Sequence, residues 1–207
     1  MYETPDGHRT FLVAIEGADR VGKATQSILL ADALRRRRFS VMAVEVPYAD
    51  KVTHPEIYRM LKDGSVKRFP SVFQTLQVVN RRIFQTYFLP PLAKHSDVLV
   101  FDRWTLSTVV YGSVGGVSSD ETEEILRGIL KPDVTVVLDA PAWPATNLDV
   151  LETDQSFQRA VRNGYVGACR TSDHILINAA RDREDVHRDV LSVVLERLGS
   201  FPMSSSS

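Results

Sequence analysis

The stretch Ile15-Glu-Gly-Ala-Asp-Arg-Val-Gly-Lys-Ala-Thr-Gln26 contains a G-x-x-x-x-G-K pattern, Gly17 to Lys23, directly after the apolar run Phe11-Leu-Val-Ala-Ile15. A strand, a glycine-rich turn and a helix opening near Gly22 give the geometry in which backbone N–H groups and a helix N-terminus surround a phosphate. Gly17 and Gly22 let the chain turn tightly, and Lys23, read as an exposed loop lysine, reaches a transferring phosphoryl group. One letter departs from the pattern. The position after the lysine, where Ser or Thr holds a magnesium ion, is Ala24. Thr25 lies about 100° further around the helix and replaces that hydroxyl only as a subsidiary ligand. Phosphate binding should survive, because backbone amides do most of it, but the metal must lean on another residue.

Asp102 is the obvious one. It closes the run Val98-Leu-Val-Phe101, and strands of an open α/β sheet point their carboxyl ends at the ligand crevice. A helix-capping aspartate is the competing reading. Three further runs read as strands: Val41-Met-Ala-Val-Glu-Val46, Val134-Thr-Val-Val-Leu138 and His174-Ile-Leu-Ile-Asn178. Short, near-continuous apolar runs suit strands buried on both faces. Helical segments alternate with them at 22–37, 55–63, 70–94, 119–130, 152–171 and 182–199. The fold class is therefore α/β, a doubly wound sheet of about five parallel strands flanked by helices. Pro70 suits a helix start, while Pro90-Pro91 should bend or interrupt the long helix. A single domain over 1–200 is expected, with a disordered tail at 201–207 that has nothing to bury.

With 25 basic and 26 acidic residues, no net charge argues for a nucleic-acid or membrane partner. The first ten residues lack the layout of a signal peptide, and no apolar run approaches the roughly 20 residues that span a bilayer. One cysteine, Cys169, forms neither an internal disulfide nor a thiolate cluster, so a cytoplasmic setting is expected; a viral protein acting in host cytoplasm would read the same way. The run Arg35-Arg-Arg-Arg38 has no interleaved aromatics and ends a predicted helix, where cations oppose the dipole. Arg20, Lys23 and Arg103 are three cations expected at one crevice, and phosphoryl transfer is catalysed mainly by positioning and charge neutralisation.

Five segments, in order from residue 11 to about 195, resemble thymidylate kinases. They are the loop with its Glu16-Gly17-x-Asp19-Arg20 prefix, Asn80-Arg81, Phe101-Asp-Arg-Trp-Thr-Leu-Ser-Thr-Val-Val-Tyr111, Lys131-Pro-Asp-Val-Thr-Val-Val-Leu-Asp139 and Ala180-Arg-Asp-Arg-Glu-Asp-Val-His187. The resemblance implies a P-loop kinase fold with a short lid near 140–151, a homodimer, and transfer of the γ-phosphate of ATP, with Mg2+, to dTMP. It places ATP on Gly17, Ala18, Asp19, Arg20, Val21, Gly22, Lys23, Ala24 and Thr25. It gives Arg20, Lys23, Asp102 and Arg103 catalytic roles, and Asp102 and Thr25 the metal. The acceptor falls to Asp19 (the 3′-hydroxyl), Arg81 (the pyrimidine edge), Arg103 (the monophosphate) and Tyr111 (which crowds the 2′-position), with Pro47, Gln77, Trp104, Ser107 and Thr108 around them.

Departures from the family are also plain. Gln77 replaces a stacking phenylalanine, Glu45 replaces a phosphate-binding arginine, and Gly112 stands where a polar residue is common. The lid contains no Arg or Lys; Asp149-Val-Leu-Glu152 resembles the family's Asp-Arg-x-Glu with Val150 in the arginine's place. The departures concern the acceptor more than the donor. Alternatives are therefore an acceptor such as dUMP or a modified deoxypyrimidine nucleotide, a nucleotide-binding protein without turnover, or a nucleoside kinase.

Overall fold

The computed structural model describes residues 1–144, 146 and 148–200. β1 (Tyr2–Glu3) precedes β2 (Arg9–Glu16), α1 (Lys23–Arg36), β3 (Val41–Glu45), α2 (His54–Asp63), α3 (Ser65–Arg68) and α4 (Pro70–Ile83). A π-helical turn (Phe84–Phe88) leads into α5 (Leu89–Ala93), β4 (Val98–Asp102), α6 (Thr105–Val114), α7 (Ser119–Leu126), β5 (Val134–Asp139), α8 (Gln155–Thr171), β6 (Ile175–Asn178) and α9 (Arg183–Gly199). The five expected strands form a parallel sheet in the order β3-β4-β2-β5-β6. A sixth strand, β1, adds to these five and was not expected; it pairs antiparallel with the first two residues of β2. Two residues are too few to carry an alternation signal in the sequence.

Each face of the sheet has its own core, as the period of two requires. Phe11, Val13 and Ile15 of β2 point to one face, with Leu30 and Leu34 of α1, Val161 of α8 and the Val186-Val190-Val194-Leu198 stripe of α9. Leu12 and Ala14 point to the other, with Val78, Phe84, Leu89, Phe101 and Trp104. Register leaves the C-terminal ends of three strands side by side, with Ile15 opposite Asp102 and Asp102 opposite Glu45. The chain leaves β2, skips a place to β3 and returns through β4, so the sheet reverses direction beside β2. Ligand crevices of open α/β sheets form there.

Three helix expectations need correction. The long helix over 70–94 breaks before its prolines, not at them: Leu89 N–H donates to Phe84 O, a π-type bond. Pro90 and Pro91 supply no N–H, so the turn ahead of them widens and keeps Phe84 and Leu89 in the core. The segment over 152–171 starts only at Gln155, where the Asp154 side chain caps it. Helix α6 was not expected at all, because its β-branched residues are weak helix formers and it has no local cap. Its cap comes from Glu16, as the site shows. The arginine run closes α1 as anticipated: Arg35 donates to Val41 O and to Asp32, and Arg37 to Ala33 O. No described helix is long and apolar enough to cross a membrane.

Candidate active site

The loop between β2 and α1 is built from left-handed backbone at Arg20 (φ 60°) and Gly22 (φ 93°) and an unusual Gly17 (φ 142°). A Cβ at Gly17 would stand 2.6 Å from Leu138 O, so only glycine lets the loop press on β5. Lys23 opens α1. It is buried rather than exposed, and its Nζ donates to Ala18 O at 2.6 Å. Burial, then the neighbouring Arg103, push its pKa down to about 8, against the pull of Asp19, Asp102 and Glu16. Lys23 is charged below that pKa and neutral above it. Because kcat/KM reports the free enzyme, it should fall as pH rises past about 8, while kcat, measured with phosphate bound, holds to higher pH. Initial-rate profiles on limiting and saturating ATP check this; a flat kcat/KM to about pH 9.5 contradicts it.

Two carboxylates organise the crevice floor. Glu16, fully buried at the end of β2, accepts the backbone N–H of Trp104 at 2.7 Å and of Ser107 at 3.2 Å, capping α6 from across the fold. It also accepts the hydroxyls of Ser107 (2.6 Å) and Tyr165 (3.1 Å). With Glu16 as the cap, Asp102 is left free of that duty. Asp19 pairs with Arg103 and accepts Tyr111 Oη at 2.7 Å and Gln158 Nε2 at 2.8 Å. Burial acts to raise the Asp19 pKa, but Arg103, Lys23 and these hydrogen bonds hold it below the usual carboxylate range. Arg103 itself has left-handed backbone (φ 70°), donates to Gly17 O at 3.1 Å and lies over the Tyr111 ring.

Above this floor is a cavity of about 470 Å³, into which the loop's Asp19, Arg20, Gly22, Lys23, Ala24 and Thr25 project together with Asp102 and Arg103. Its walls come from α4 (Phe73, Gln74, Gln77, Arg81), α6 (Ser107, Thr108, Tyr111) and α2 (Ile57, Tyr58, Leu61). Glu45, Val46 and Pro47 close one side, and Asp149, Leu151 and Glu152 the other. Arg81 is 1% exposed, donates to Gln77 O at 2.8 Å, and has an Nε with no partner; burial pulls its pKa down to about 10. The Thr108 hydroxyl is likewise buried and unpaired. An unsatisfied buried polar group costs about 1–3 kcal/mol, so these two hold hydrogen-bonding capacity that a ligand in the cavity would satisfy. Next to Arg81, Asn80 pins the loop after Pro47, accepting Tyr48 N–H at 2.7 Å and donating to Tyr48 O at 2.8 Å.

A family model described as thymidylate kinase matches residues 15–190. This chain belongs to the thymidylate kinase family. It is a kinase, and ATP-dependent phosphorylation of dTMP is the reaction the match supports; dUMP, nucleoside and non-catalytic readings are not favoured. A thymidylate kinase of Chlorobaculum tepidum is 30% identical over 207 residues, covering 88% of this chain and 96% of that protein. Probable thymidylate kinases of Caldivirga maquilingensis and Pyrobaculum aerophilum are each 28% identical, covering 89% and 88% of this chain and 93% and 95% of theirs.

Most of the candidate catalytic, ATP and acceptor residues line the cavity; Gly17 does not, meeting Arg103 through its carbonyl instead, and three further groups need restating. Trp104 does not line it: the indole stacks on Phe101 at 4.5 Å and donates to Leu130 O, so it belongs to the core. Ala18 and Val21 bury their side chains in the opposite core, leaving only backbone for a nucleotide. Ser107 reaches the cavity but spends its hydroxyl on Glu16. One turn before Gln77 on α4, Phe73 packs in the core with Ile57 and Leu151 and also lines the cavity, which sequence reasoning missed. The spacing 73-77-81 puts all three on one helix face and could have found it. Of the expected lid, Ala145 and Asn147 lie outside the described residues, as does the tail 201–207. The described part touches the loop: Trp143 N–H donates to Arg20 O at 3.0 Å and Arg20 Nη1 donates to Trp143 O at 2.9 Å.

Proposed function

We propose that ATP lies along the Gly17–Thr25 loop with its γ-phosphate at Lys23 and Arg20, and that dTMP fills the α4/α6 side of the cavity. One observation carries this: a single cavity joins the loop cations to two buried, unpaired polar atoms, Arg81 Nε and the Thr108 hydroxyl, across from them. The thymine carbonyls are acceptors, and a guanidinium can only donate, so Arg81 selects a base with a carbonyl where cytosine carries an amino group. Phe73 offers the ring face, and Gln77 adds an amide. The Asp19–Tyr111 pair meets the sugar, with Tyr111 filling the space a 2′-hydroxyl would need. The acceptor phosphate oxygen attacks the γ-phosphorus, a P–O bond forms, and the bond to the ADP oxygen breaks. A phosphate needs no general base, so the protein's task is alignment and charge neutralisation by Arg103, Lys23 and Arg20.

Among the described residues no three carboxylate, His or Cys groups converge as a metal cage. A magnesium held jointly with nucleotide phosphates needs only one or two carboxylates. Asp102 fits: it lines the cavity near Lys23, its carboxylate takes no hydrogen bond from the described residues, and burial raises its pKa. Glu45 stands beside it in register, and Thr25 lies at the same rim. Bound there, Mg2+ would neutralise phosphate charge. Asp102→Asn should raise the magnesium concentration for half-maximal rate about tenfold or more, and nucleotide affinity much less. An unchanged magnesium titration removes Asp102 from the metal.

A homodimer is the expected assembly, with the exposed Val72 and Val79 of α4 on its face, and sedimentation equilibrium as its test. The substrate assignment is tested by one acceptor series with ATP and Mg2+. The kcat/KM for dTMP should exceed that for dCMP by about 10²-fold or more, and thymidine should not turn over. Equal rates with dCMP, or preference for thymidine, would overturn it.

A further inference from the structure

The region from Ala140 to Leu151 contains no Arg or Lys, yet it is where the chain grips the loop arginine. Three contacts meet at Arg20. Its carbonyl accepts Trp143 N–H, its Nη1 donates to Trp143 O, and its Nε faces Glu152 Oε1 at 3.6 Å. That Nε is buried and has no hydrogen bond, so the Glu152 carboxylate is the group that answers its charge. Glu152 is itself fixed. Its Oε2 accepts Asp149 N–H at 3.0 Å, while Asp149 Oδ1 accepts the N–H of Glu152 at 2.9 Å and of Leu151 at 2.8 Å. Val150 inside this turn brings no charge; its carbonyl accepts the Thr153 hydroxyl at 3.2 Å and its side chain packs against the core of Ile57 and Met60. Glu152 also lines the cavity, on the same side as Arg20.

A free arginine side chain carries about 2 kcal/mol of rotamer entropy, and misplacing a catalytic group by about 1 Å can cost a factor of about 10². We infer that Glu152 is a positioning residue that aims Arg20 at the transferring phosphoryl group. In this chain the expected lid supplies a carbonyl, and the residue just after it an anion, to orient a loop cation, in place of a lid cation. The acid pair Asp149/Glu152 has a use here even though Val150 brings no cation. The inference rests on the proposed role of Arg20, and its test separates the two.

Glu152→Gln keeps the shape and the contact to Asp149 N–H but removes the charge. In the wild-type background it should lower kcat about tenfold with KM for ATP and dTMP changed by less than about twofold, and Glu152→Asp should recover part of the loss. Combined with Arg20→Ala it should cost nothing more, because the side chain it aims is gone. Thermal melts of each variant report folding separately. An equal loss from Glu152→Gln in both backgrounds, or none in the wild type, overturns the inference while leaving Arg20 catalytic. Wild-type kcat in Arg20→Ala alone would instead remove the loop-arginine reading, and this inference with it.

Discussion

Lys23→Ala should lower kcat by about 10²–10³ while the protein stays folded. The side chain is buried, which ordinarily argues for a structural role, but among the described residues it hydrogen-bonds only Ala18 O within its own loop. Burial already depresses its pKa to about 8, so the folded state holds this ammonium at a cost, and removing it relieves that cost. Folding therefore loses little. The chemistry loses the one ammonium that a γ-phosphate would meet at the mouth of α1, in a site sheltered from water where a charge counts most. Steady-state kinetics with a thermal melt on the same sample decide it: retention of more than about a tenth of wild-type kcat with an unchanged melt would mean that the loop is not the donor site.

Arg20→Ala should have the larger effect, lowering kcat by at least about 10³. The segment expected as a lid, 140–151, has no basic residue, so the proposal has charge developing on the transferring phosphoryl group met from the loop side. Arg20 is held in left-handed backbone, lines the cavity and is fixed by Trp143 and Glu152. A contact made mainly in the transition state lowers kcat and kcat/KM together, so KM for either nucleotide should move much less. Arg20→Lys should recover little, because a point charge cannot reproduce a planar, two-pronged contact. If KM rises and kcat does not fall, Arg20 only binds substrate. Arg159 and Arg162 on α8 would be the next cations to test; Arg162 is paired with Asp139 and would have to leave it.

The sequence was most legible where one local feature determines one local structure. The strand-loop-helix of Phe11 to Gln26 needs no partner to be recognised, and its glycines, its lysine and the missing hydroxyl at Ala24 all stand where the pattern puts them. Arg81, Arg103, Thr108 and Tyr111 were legible as members of ordered motifs, and all four reach the cavity. What escaped is what long-range contacts create. Helix α6 depends on a cap 88 residues away in sequence, so no local rule for N-termini could see it. Trp104 carries a motif position but turns into the aromatic cluster with Phe84 and Phe101, because an indole gains more from burial than from a rim. Phe73 was missed although its helical spacing to Gln77 and Arg81 was there to read, and Glu152 was seen only as part of a motif, since its contact with Arg20 comes from a segment that folds against the loop. The break of the long helix was foreseen from its prolines but placed a turn late, because the lost hydrogen bonds belong to the carbonyls before them.

The central claim is that the loop, through Arg20, answers the transition-state charge in a kinase with a bare lid. Aluminium fluoride with ADP and dTMP mimics the planar transferring phosphoryl group, and its binding to wild type and to Arg20→Ala measures that claim without turnover. The wild type should hold ADP at least about 10²-fold more tightly when dTMP and fluoroaluminate are both present, and Arg20→Ala should lose most of that gain while binding ATP and dTMP normally. An Arg20→Ala protein that closes on the analogue as tightly as the wild type would contradict the account.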